Sequence, residues 1–198
     1  MAGNASHLFE RLGACRLCAA RFAATQSAHE PRPILRLNPD APILIVSQAP
    51  GWRAHVSGVP FDDPSGVRLR DWMGLEAEAF FAPRTLSIAP MGFCFPGHDA
   101  QGGDLPPPAI CRRTWHAEVL AALPGVRLRL VIGGLAQGYL MGPGRMTDRV
   151  AAWRDAPPGL WPLPHPSWRN TPWLRRNPWF EAELLPALRG AVAEALDG

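Results

Sequence analysis

The sequence predicts an α/β fold, a three-layer α/β/α sandwich with a short central four-stranded parallel sheet, in one domain of 198 residues. Three observations carry that expectation. Four short runs, Ile43–Val46, Leu86–Ala89, Arg127–Ile132 and Leu160–Leu163, are rich in apolar residues, too short for buried helices, and followed closely by Pro or Gly. Segments of helical periodicity separate them, and strands alternating with helices imply a parallel sheet covered on both faces. The chain is also long enough to bury a sizeable core, at 47% apolar and 19% charged residues.

Residues 5–24 place Leu8, Phe9, Leu12, Leu17 and Phe22 at roughly helical spacing, with Cys15 and Cys18 inside the same predicted helix. Residues 26–40 carry Pro31, Pro33 and Pro39 and read as a loop. The first strand occupies 42–47, after which the chain breaks at Pro50-Gly51 and continues as a loop of polar and aromatic groups. Asp63, Pro64 and Ser65 supply capping chemistry for a helix over 66–73 that presents Val67, Leu69, Arg70, Trp72 and Met73. The second strand leads into a Gly/Pro-rich loop at 96–108 and a helix over 109–123. Gly133-Gly134 closes the third strand before a short helix to about 141, and another short helix near 147–155 precedes the fourth strand. A final helix over 177–196 turns Phe180, Leu184, Leu185, Leu188 and Val192 inward. No internal repeat or interdomain linker interrupts this order. Ligands of open α/β sheets bind where loops leave the carboxyl ends of strands, so chemistry is expected to centre on Ser47 to Gly66.

No apolar run approaches membrane-spanning length, and the amino terminus lacks a basic region followed by an apolar one, so a cytoplasmic location is expected. All 20 basic residues are arginine, a pattern that codon bias in a GC-rich genome explains without a functional cause. A net charge of +3 favours a polyanionic partner only weakly. No extended apolar surface pattern argues for an obligate oligomer, and a monomer is expected.

The cysteines form two groups, Cys15-x-x-Cys18 and the pair Cys94 and Cys111, with sixteen residues between the latter two. Four thiolates serve either a zinc site or an iron–sulfur cluster, and spacing does not separate the two. Buried free cysteines are the plainer alternative. His165 follows the fourth strand between Pro164 and Pro166, where a stiff backbone suits a histidine that donates to an anion or accepts a proton. A loop histidine bonded to a local carbonyl is its bland counterpart. Phe61 is either a stacking platform for a planar ligand or ordinary core. Asp62 and Asp63 are acceptors for a water or caps for the next helix, Asp63 being the better cap. Arg169, Arg175 and Arg176 with Trp168 and Trp173 suit a nucleic acid, or form a solvated arginine face beside tryptophan core.

Taken together, SQAPG (47–51), SGVPFDDPSG (57–66), the four cysteines, HPS (165–167) and LRRNPWF (174–180) resemble the uracil-DNA glycosylase superfamily, closest to its iron–sulfur, family 4-like branch. The likeness runs from Cys15 to the final helix. It implies an α/β/α fold and a [4Fe–4S] cluster, rather than zinc, on Cys15, Cys18, Cys94 and Cys111. It also implies a DNA partner containing a damaged or deaminated base, which is flipped out of the duplex before its N-glycosidic bond is hydrolysed. By the same resemblance, Phe61 stacks on the base, with Ala49, Pro50 and Gly51 beside it. His165 stabilises charge on the departing base. Backbone N–H groups at Ser65 and Gly66 hold a phosphate, and Ser167, Trp168 and Arg169 enter the groove.

Two positions depart from the family pattern. Where family 4 has a glutamate directly after the first residue of the first motif, this chain has Gln48, which orients a water but is no general base; Asp62 or Asp63 is the candidate replacement. Where family 4 has an asparagine that reads the uracil edge, this chain has Pro90, without an amide arm or a backbone N–H. The expected function is monofunctional base excision, since no lysine is present to form a Schiff base. Its rivals are a catalytically weak DNA-binding protein of the same fold and a hydrolase of free nucleotides or nucleosides.

Overall fold

A computed structural model describes residues 2–198. Four parallel strands, β1 (Ile43–Val46), β2 (Leu86–Ile88), β3 (Leu128–Ile132) and β4 (Leu160–Leu163), form one sheet in the order β2-β1-β3-β4. Successive side chains on a strand face opposite sides, and the core divides accordingly. Ile43, Ile45, Leu130 and Ile132 pack on one side with Leu69, Trp72, Phe180, Leu188 and Val192. Leu44, Val46 and Val131 pack on the other with Leu8, Leu12, Trp115 and Val119. The three predicted layers follow from this alternation. Both sheet edges are protected: β2 pairs with Arg36 through a single bridge at Ile88, and β4 carries Pro162, which cannot extend a ladder.

The helices are α1 (Ala2–Gly13), α2 (Ala19–Ala23), α3 (Trp52–Ser57), α4 (Pro64–Met73), α5 (Ala77–Phe81), α6 (Ala109–Ala121), α7 (Gly133–Leu140), α8 (Met146–Ala151), α9 (Thr171–Arg176) and α10 (Leu185–Asp197). None of these is long and apolar enough to cross a membrane. From β1 the chain crosses outward to β2, and from β3 it crosses to β4 on the other side. The strand order therefore reverses between β1 and β3, which opens a crevice at their carboxyl ends.

Several elements differ from expectation. Cys15 and Cys18 are not inside a helix; α1 ends at Gly13, and both cysteines lie in the turn before α2. The stretch after Gly51 is not all loop, because Trp52–Ser57 forms α3, closed by Gly58 in the left-handed conformation (φ 77°). Short α5 was not anticipated. The expected tail helix is divided into a π-helical turn at Phe180–Leu184 and α10, and the short helix α9 before it falls outside the expected range. Pro178 and Pro186 break the regular ladder there.

Candidate active site

The loop leaving β1 is held by backbone pairing that continues past the end of the sheet. Ala89, Met91 and Gly92 N–H groups donate to the carbonyls of Ile45, Ser47 and Gln48 at 2.8–3.0 Å. Pro90 interrupts this ladder, having no N–H, and its carbonyl accepts from buried His116 Nε2 at 2.7 Å. Pro90 is thus buried and tied to His116 of α6. Gln48 and Ala49 are half-buried at the crevice and Pro50 is buried. Among the described residues no hydrogen bond engages the Gln48 side-chain amide.

Across the crevice, Asp63 caps α4 by accepting from Gly66 N–H at 2.8 Å. That bond takes the Gly66 amide, one of the two expected to hold a phosphate, and it puts a carboxylate at the helix terminus. Asp62 is exposed and without a hydrogen bond among the described residues. Phe61, just before, is half-buried with φ 59°, a strained conformation for a residue with a Cβ. Its ring meets Phe80 edge-on at 6.4 Å.

His165 emerges from β4, and a Cβ on neighbouring Gly133 would lie 3.9 Å from its own. Ser167 N–H donates to His165 Nδ1 at 3.2 Å, and Asn170 Nδ2 donates to its carbonyl at 2.7 Å. An acceptor Nδ1 leaves the proton of a neutral ring on Nε2, which has no partner among the described residues. Burial pushes the ring below its ordinary pKa, against the opposing pull of Asp63 and Asp104; Arg169 adds to the lowering. The neutral ring therefore donates through Nε2. Arg68 of α4 donates to Ser167 O at 3.1 Å and ties this loop to the Phe61 side of the crevice. Beyond it, Trp168 is 73% exposed, with Arg169 over its ring at 5.8 Å.

Three residues of this region carried no sequence signal strong enough to single them out. Arg68 acts through a partner distant in sequence, Ser167, while Asn170 braces the His165 carbonyl within its own loop. Asp104 belongs to the Gly/Pro-rich loop, yet its Oδ2 comes within 3.8 Å of the place a Cβ on Gly51 would occupy.

The four cysteines line one cleft together with Leu12, Leu17, Phe22, Pro31, Pro33, Gly92, Phe93, Pro108 and Trp115. Its cavity volume is about 20 Å³. Phe93 N–H points at Cys111 Sγ (3.4 Å), and the Arg32 backbone N–H points at Cys94. Burial and the adjacent Cys111 push Cys94 up to about 12, and burial pushes Cys111 up to about 11. Uncompensated thiolates are therefore unfavourable here. No group of three or more His, Cys, Asp or Glu side chains among the described residues is gathered closely enough to hold a metal ion.

A family model described as "Uracil DNA glycosylase superfamily" matches residues 36–189, which takes in the sheet and the whole crevice and leaves Cys15 and Cys18 outside.

Proposed function

This chain belongs to the uracil-DNA glycosylase superfamily, and from that premise we propose that it is a monofunctional DNA N-glycosylase that removes uracil or a related deaminated base. The observation that carries this reading is the fixed tautomer of His165: Nδ1 is occupied by Ser167 N–H, so Nε2–H is the donor presented at the switch-point crevice. A flipped base stacks on Phe61, and the C1′–N bond lengthens towards an oxocarbenium-like state. Negative charge grows on the departing base, and His165 Nε2–H donates to it. A neutral donor held in place strengthens as that charge develops and needs no proton transfer. Trp168 and Arg169, at an exposed tip, suit the DNA face that supports the extruded state. With Pro90 buried and bonded to His116, edge recognition falls to backbone groups and Gln48.

The cysteines suit a [4Fe–4S] cluster on Cys15, Cys18, Cys94 and Cys111. The cleft is apolar, two backbone N–H groups point at sulfur, and the thiols need a cationic centre to ionise. Such a cluster supplies a rigid cross-link between the α1–α2 turn, the loop after β2 and the start of α6. We take the protein to act on DNA as a monomer.

The test is single-turnover base release from oligonucleotides carrying uracil, hypoxanthine or xanthine, single- and double-stranded, by anaerobically purified protein. Release that His165→Ala abolishes supports the enzyme. Gln48, in place of a carboxylate, motivates a second reading as a DNA-binding protein; tight binding with no release from any substrate would favour it.

A further inference from the structure

Hydrolysis needs a water held beside C1′ and a group to take its proton, and the first motif offers only Gln48. Two carboxylates act on the His165 ring, Asp63 and Asp104, and Asp62 adjoins Asp63 in the chain. Asp62 is exposed, and Asp63 is committed to Gly66 N–H. Asp104 is different. It comes from the loop joining Cys94 to Cys111, reaches across to the first motif, and lies against Gly51. One oxygen is held: Oδ1 meets His98 Nε2 at 3.4 Å, and the two backbones are joined by an antiparallel bridge. Phe95 and Trp52 pack around the His98 ring at 4.9 and 6.2 Å and keep it in place. The other oxygen, Oδ2, is the one nearest Gly51, and no hydrogen bond engages it among the described residues. The side chain is 46% exposed, so water reaches it.

We propose that Asp104 is the catalytic carboxylate of this site, replacing the one absent at Gln48, and that His98 is its positioning residue. This rests on the glycosylase reading. Asp104 Oδ2 and the Gln48 amide hold the attacking water between them. The water oxygen bonds to C1′ as the C1′–N bond breaks. The bonding pair leaves with the base, whose charge His165 Nε2–H stabilises, and the water's proton passes to Asp104 and then to solvent. Burial raises the Asp104 carboxyl above its ordinary value, opposed by His98, Arg169 and His165, while Asp63 adds to the rise; the group is a stronger base for it.

The experiment uses the cluster-loaded protein and the oligonucleotide that the wild type cleaves fastest. Asp104→Asn keeps shape and removes the base, and Gln48→Glu in that background restores a carboxylate on the other side of the same water. Asp104→Asn is expected to slow single-turnover release by about 100-fold or more, the lower range for losing a general base. DNA affinity should change less than about threefold, and adding Gln48→Glu should recover at least about tenfold. The rate of the wild type should fall as Asp104 is protonated at acidic pH, a limb that Asp104→Asn lacks. His98→Gln should shift that limb, whereas a merely structural histidine would leave it in place. An Asp104→Asn rate within about threefold of wild type overturns this inference alone. No release by the wild type from any substrate overturns the glycosylase reading, and this inference with it.

Discussion

The carbonyl of Phe61 lies so close to Gly66 that a Cβ there would meet its oxygen at 1.8 Å. Phe61 is held at φ 59° and the start of α4 is pressed against it, so the Phe61 backbone and the helix that Asp63 caps are one rigid unit.

Gly66→Ala should therefore cost both stability and activity. The obstacle is backbone, which cannot step aside as a flexible side chain would, and overpacking of this kind costs about 1–3 kcal/mol. Chemical denaturation should show that loss. Base release should fall further than the unfolded fraction accounts for, because Phe61 must move. A variant of unchanged midpoint and rate would show the contact to be relieved elsewhere.

His165→Gln should reduce single-turnover release by roughly 100-fold with little change in DNA affinity, since the lost donor acts mainly on charge that develops during bond breaking. The titration has a definite sign. Burial, with Arg169 adding to it, holds the folded-state value below the ordinary one, against Asp63 and Asp104. The unfolded chain thus takes up the proton first as pH falls. The contribution of the neutral ring to stability is intact above about pH 6.5 and is lost between there and the lower folded-state value. Ring NMR of His165 should give a midpoint under 6.5; one above it would contradict burial as the dominant influence on the ring.

Trp168 and Arg68 should separate binding from folding. Trp168→Ala removes an exposed ring, so stability should stay within about 0.5 kcal/mol. DNA affinity should weaken about tenfold, the scale of losing one base–aromatic stack. Arg68→Leu instead releases Ser167 O, and the His165 loop should loosen. Its mark should be a lower rate with DNA affinity nearly retained. Equal effects of both variants on affinity would mean that the tip does not touch DNA.

Cys111→Ser should abolish iron binding and the visible absorption of a cluster. Stability should drop by about 2 kcal/mol or more, as when a ligand that binds only the folded state is withdrawn. Iron content per chain and thermal denaturation measure both. Full iron retention with three cysteines would require a different ligand set.

Much of this was legible along the chain. The strands announced themselves because runs such as Ile43–Val46 are buried on both faces and so read as continuous apolar segments. Asp63 as a cap and His165 at a strand end were readable because local sequence determines both. Short α3 and α5 were not, since five or six residues give too little periodicity to register. Pro90 looked like a lost base reader. Its bond to His116, from α6, is visible only in the fold.

What the sequence determined alone is the layered α/β architecture, the family, the cysteine groups and the residues that bracket the crevice, all written in local pattern and motif. Tertiary structure alone decided which carboxylate lies against the first motif. Asp62 and Asp63 are neighbours in the chain, yet one points to solvent and the other is used by its own helix. Asp104, more than forty residues later, is brought over Gly51 by a loop anchored at Cys94 and Cys111. The reason is physical: a carboxylate's role depends on what lies within a few ångströms of it, and distance along the chain does not report distance in space.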